Sequence, residues 1–133
     1  MIDTAVARAA GAVLASFALA LALTLAIELA VAALGFGLRT RRELGSVALA
    51  NVLTNPALNL VLMVVMALTG QRAPIEPAPL AALAALECTA VIVEWRILAW
   101  ALPEHRSRAL GISLTMNAAS LLVGIAAHAL RVW

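Results

Sequence analysis

Asn51, Asn55 and Asn59 recur at i, i+4 and i+8 within an otherwise apolar segment. On a helix their amides form one stripe, with Thr54 beside it. Pro56 interrupts the stripe. It lacks an N–H and its ring crowds the carbonyl four residues back, so a helix here bends and leaves the Val52 carbonyl without its usual donor. Glu28, Glu87 and Glu94 sit in apolar runs of their own. Glu28 lies about twelve residues before the middle of a basic turn, and Asn51 and Thr54 about ten to fourteen after it, so at about 1.5 Å per residue they share one depth. Glu94 stands in the same relation to Asn117 and Ser120, and Glu87 lies two turns from Glu94, near the depth of Asn59. Acids flanked by amides inside a membrane suit a proton, a cation or a cationic solute. The other reading is structural: Glu and Asn bonding across helices as packing glue, worth about 0.6–2 kcal/mol per bond.

Other chemistries lack their residues. There is no Ser-His-Asp or Cys-His arrangement, glycine-rich phosphate loop or zinc-spaced cysteine set, so no enzyme and no cofactor are expected. His105 falls in a turn and His128 near the opposite end, so they cannot join the glutamates on one metal ion. Cys88, the single cysteine, makes no internal disulfide and reads as a buried, inert thiol.

These side chains need helices to position them, and the composition says where the helices lie. A chain of 133 residues that is 65% hydrophobic, with mean hydropathy +1.04, is too apolar for a soluble domain. It reads as an integral membrane protein. All nine basic residues are arginines and the net charge is only +2, which leaves no basic face for nucleic acid. Apolar runs over residues 9–38, 44–69, 80–102 and 109–130 predict spanning helices, each near the roughly 20 residues a bilayer requires. A cleaved signal peptide competes for the first run, but the run is too long and further spans follow. Arg39, Arg41, Arg42, Arg106 and Arg108 fall in two turns on one side, against Arg8, Arg72 and Arg131 on the other, so both termini are expected outside the inner membrane. Trp100 and Trp133 stand near span ends, where indoles favour the interface. The third span is the weakest. Its nine Leu, Ile and Val contribute roughly −3 to −5 kcal/mol, against up to roughly 7–10 opposing from Glu87, Glu94 and Arg96, so it needs partners. Arg96 either snorkels toward the turn or pairs with Glu28.

The fold expected is all-α: one polytopic domain of four transmembrane helices arranged as two helical hairpins. The hairpins look like repeats, over about 11–69 and 77–133. A constant offset of 66 residues places Glu28 on Glu94, Arg42 on Arg108, Leu44-Gly45 on Leu110-Gly111, Asn51 on Asn117 and Thr54 on Ser120. Such hairpins share one orientation and would be related by an axis along the membrane normal. On the fourth span Ser113, Asn117, Ser120, Gly124 and His128 form a stripe of mostly polar or small residues.

The pattern Glu28, then Asn51-x-x-Thr54-Asn55-Pro56-x-x-Asn59, then Glu94 resembles small bacterial four-span membrane proteins, a likeness that brings no activity with it. It is distantly similar to small multidrug transporters, which are four-span proteins with a functional Glu in the first span. Here Glu28 lies late in that span, and the glycine- and phenylalanine-rich signature of fluoride channels is missing, so no functional residue carries over. The expectation is a bilayer-embedded protein binding or transporting a proton, cation or cationic solute through Glu28, Asn51, Thr54, Asn55, Asn59, Glu87, Glu94, Asn117 and Ser120. The alternative is a structural or accessory subunit of a larger membrane complex, and a homo-oligomer suits either reading. Glu28, Asn55 and the Val52 carbonyl are expected to line one cavity entered from the arginine-rich side.

Overall fold

The computed structural model describes residues 4–70 and 77–129, and no strand occurs among them. Arg72, Arg131 and Trp133 lie outside the described residues, as does the side chain of His128. The long helices are α1 (Thr4–Ala30), α2 (Arg41–Thr69), α3 (Pro77–Ala101) and α4 (Ala109–Ala129). Three stretches, Gly11–Gly35, Arg41–Thr69 and Ala109–Ala127, are long and apolar enough to cross a membrane, which fits a membrane protein. α3 is long enough but does not join them; it carries Glu87, Glu94 and Arg96.

The helices pair as two antiparallel hairpins, α1–α2 and α3–α4, that also pack together. α1 lies against α2 and α4, and α3 against the same two, so α1 and α3 face each other across the centre. Residues 9–38 read as one helix, but α1 ends at Ala30 and passes into a π turn, Val31–Gly35. The chain then reverses at Gly37, whose φ of 74° is a left-handed value that glycine adopts without steric cost. The Leu38 N–H donates back to the Ala32 carbonyl at 3.1 Å, and the Leu38 side chain is buried.

Thr40 starts α2 with a capping box: its hydroxyl accepts from the Glu43 N–H at 3.2 Å, and the Glu43 carboxylate accepts from the Thr40 N–H at 2.8 Å. The first turn is charged, and the apolar run begins at Leu44. Assigned helix continues through Pro56 to Thr69, where Gly70 at φ 66° closes it by donating to the Met66 carbonyl.

Packing is uneven along the bundle. Near the turns Ala32, Leu38, Val47, Leu98, Leu102, Ala109, Ile112 and Met116 form a closed apolar core. Ala32 and Ala109 keep the backbones close, as membrane helices without a hydrophobic drive between them require. Among the described residues nothing is fully buried in the half away from the turns. Cys88 belongs to that half and is exposed on the outer face of α3, not buried as its apolar context implied.

Candidate functional site

Beneath the apolar core the two hairpins are tied by a buried polar layer. Glu28 on α1 and Glu94 on α3 are each only 1% exposed. Glu28 accepts one bond from the amide of Asn51, within its own hairpin, and one from the hydroxyl of Ser120, at 3.0 Å, in the other. Glu94 repeats the arrangement with exchanged partners: the Asn117 amide from its own hairpin, and the Thr54 hydroxyl, at 2.8 Å, from the other. The residues that exchange are those related by the 66-residue offset. The side-chain bonds therefore follow the same offset as the likeness of sequence. Each carboxylate oxygen has a donor, as burial demands.

The layer has one asymmetry of its own. Ser113, whose counterpart in the first hairpin is Val47, donates to the Val91 carbonyl at 3.0 Å and reaches Glu94 at 3.4 Å. Thr54 and Ser120 also bond backward, to the carbonyls of Ala50 and Asn117, which fixes their rotamers toward the glutamates.

A cavity of about 240 Å³ extends from this layer. All nine residues singled out in the sequence line it: Glu28, Asn51, Thr54, Asn55, Asn59, Glu87, Glu94, Asn117 and Ser120. Thr24, one turn before Glu28, lines it too and had no signal in the sequence beyond that spacing. The remaining wall is mostly aliphatic, including Leu23, Leu58, Leu83 and Leu121. Two groups depart from the offset here. On α2 the Asn59 amide donates to the Asn55 side-chain oxygen at 2.6 Å and to the Asn55 carbonyl at 3.1 Å, whereas leucine and isoleucine occupy the matching positions of α4. On α3 stands Glu87, where α1 has Leu21. Glu87 is half-buried and has no hydrogen-bond or ion-pair partner among the described residues.

Three expectations are corrected. The cavity does not reach toward the arginine-rich turns, because the apolar core closes that end; its walls run toward Leu62 and Leu80, at the other. Val52 is exposed and contributes nothing to the lining, because it stands nearly opposite Thr54 around α2, on the same outward face as Pro56. Arg96 does not pair with Glu28. It lies on the outside of α3, with its guanidinium 5.9 Å from the Trp95 ring centre.

The turns carry a second polar cluster that the sequence did not suggest, because its members lie in different hairpins. Glu43, Glu104 and His105 bring their ligand atoms within 4.8 Å of one another. His105 Nε2 lies 2.7 Å from Glu43 Oε1, while Glu43 Oε2 accepts from the Arg39 and Thr40 N–H groups at 2.9 and 2.8 Å. The Thr40 backbone bond, then His105 and the Arg39 bond, hold the Glu43 carboxyl well below its ordinary range, at about 2. Both its oxygens are engaged, so the cluster acts as a clasp between turns. Arg42 strengthens it, donating to the Ala101 carbonyl and lying 3.8 Å from Glu104, while Arg108 returns the reach across to the Phe36 ring at 5.7 Å.

The chain matches no protein-family model, no curated protein and no solved structure.

Proposed function

We propose that the chain spans the inner membrane four times and binds a small organic cation, for transport, in the cavity on the side of its polar layer away from the turns. The observation that carries this reading is Glu87: a carboxyl on the cavity wall with no hydrogen-bond or ion-pair partner among the described residues, near the level of Asn59. A charge at membrane depth is costly unless something pairs with it, and an ammonium group supplies the missing partner. Aliphatic walls above and below suit an alkyl body on that ammonium. The volume, about 240 Å³, lies under the roughly 300–1,000 Å³ typical of sites for drug-sized ligands, which limits the occupant to a small amine.

In this reading the glutamates divide their work. Glu28 and Glu94, with every oxygen already bonded, hold the hairpins together and form the floor, while Glu87 meets the ligand. Placing the arginine turns in the cytoplasm makes the cavity face outward. Asn55 and Asn59 offer carbonyl oxygens to the cation from the facing helix.

Calorimetric titration of the purified protein in detergent with hexyltrimethylammonium, against hexanol as the neutral counterpart, tests the proposal. The ammonium is expected to bind and the alcohol not to. Glu87→Gln should weaken binding at least tenfold while leaving thermal stability close to wild type. Equal binding of the two compounds, or unchanged affinity in Glu87→Gln, would sink the reading.

A further inference from the structure

A second concavity, of about 430 Å³, lies on the outer surface of α3 at the arginine-rich end, lined by Trp95, Arg96, Ala99, Trp100, Pro103 and Arg106. It shares no residue with the central cavity. Arg96, Trp100 and the residues around them recur at helical spacing, so one face of the last two turns of α3 presents them together. Pro103 begins a short 3₁₀ turn that brings Arg106 back beside the helix end. Both arginines are exposed, and neither donates to a carboxylate or carbonyl among the described residues. Arg42 and Arg108 differ: one is committed to Ala101 and Glu104, the other to Phe36. Trp100 is 86% exposed. In a bilayer an indole so placed sits at the headgroup level, and it lies at the end of the helix that the arginine turns assign to that level.

We infer that this groove binds the headgroup of an anionic phospholipid, with Arg96 and Arg106 clamping the phosphate and Trp95 and Trp100 covering the glycerol and upper acyl region. The chemistry selects the ligand. Two guanidiniums without an acid partner among the described residues present planar donor forks matched to phosphate oxygens. A zwitterionic lipid carries its own ammonium into a site that is already cationic. The Arg96 guanidinium lies over the Trp95 ring, 5.9 Å from its centre, a contact that favours keeping the charge at this groove. The lipid source, and not free phosphate, follows from the exposed indole, which gives a soluble ion nothing to hold. This inference rests on the membrane placement proposed above but not on any ligand of the cavity.

Native mass spectrometry of the full chain in detergent, titrated with phosphatidylglycerol and with phosphatidylcholine of identical acyl chains, tests it. One phosphatidylglycerol is expected to remain bound where phosphatidylcholine does not. Arg96→Gln and Arg106→Gln should each lower its occupancy about fivefold, and Trp100→Ala should weaken it with no change of charge selectivity. Hexyltrimethylammonium affinity and thermal stability should stay at wild-type values in all three variants, since these side chains are exposed. Equal retention of the two lipids, or full retention of phosphatidylglycerol in the double arginine variant, overturns the proposal. Competition by inorganic phosphate at concentrations comparable to the lipid overturns its lipid part.

Discussion

At the scale of single residues the molecule turns on how its three inner carboxylates are partnered. Glu28 and Glu94 each receive one donor from their own hairpin and one from the other, so Thr54 and Ser120 perform the same task in exchanged places. Thr54→Val and Ser120→Ala should therefore cost similar amounts, about 0.6–2 kcal/mol each, measured by reversible unfolding in mixed detergents. Asn51→Leu should cost more than Asn117→Leu, because Asn51 is the one donor to its Glu28 oxygen among the described residues, whereas Ser113 stays within reach of the Glu94 oxygen that Asn117 serves. A large loss from one of Thr54→Val and Ser120→Ala with silence from the other would show that the exchange of bonds has no energetic counterpart. Glu87 stands outside this scheme, which is why its replacement is expected to affect ligand binding before stability.

At the scale of elements, α2 carries both the stripe and the break in it. Assigned helix persists through Pro56 even though the Val52 carbonyl has no N–H to receive, and Val52 and Pro56 both face outward. Pro56→Ala restores the donor and should raise the thermal midpoint, by at most the roughly 3 kcal/mol that separates proline from alanine inside a helix. Affinity for hexyltrimethylammonium should fall in the same variant, as Asn55 and Asn59 shift relative to Glu87. A lower midpoint would mean that the bundle is packed around the bend and depends on it.

The turns between elements supply a pH dependence. The Glu43 carboxyl is lowered from 4.5 to about 2. A group lowered in the folded state stabilises the fold above its ordinary value and loses that contribution as the pH falls toward its folded one. The midpoint of wild type should thus exceed that of Glu43→Gln at neutral pH, with the gap closing as the pH drops from about 4.5 toward 2. A gap that stays constant over that range would remove Glu43 from the clasp.

At the scale of the whole molecule, the two ends of the bundle differ in kind. The turn end is closed by an apolar core and tied by Glu43, His105 and Arg42; the other end is loosely packed and holds the cavity. Under the proposed transport reading, this closed end and open end correspond to one state of an alternating-access cycle. Reporter fusions at Arg42 and at Gly70 check the orientation. A cytoplasmic signal at Arg42 and an external one at Gly70 are expected, and the reverse would make the cavity face inward.

The sequence by itself marked where the four long helices run and which of their polar residues share a depth. Apolar runs of spanning length can hardly be anything but helices, and in an antiparallel hairpin equal distance from a turn means equal depth, so Glu28 with Asn51 and Glu94 with Asn117 could be matched by counting. Counting works along a helix but carries no information around it. Which of Glu94 and Arg96 faces inward, two residues apart on different faces, depended on what packs against α3. The exchange of Thr54 and Ser120 between hairpins required α1 to lie against α4, a contact between the two ends of the chain. The direction of the cavity was beyond the sequence for a related reason: leucine and alanine fill both halves of the bundle, and only their packing against one another decided which half closed.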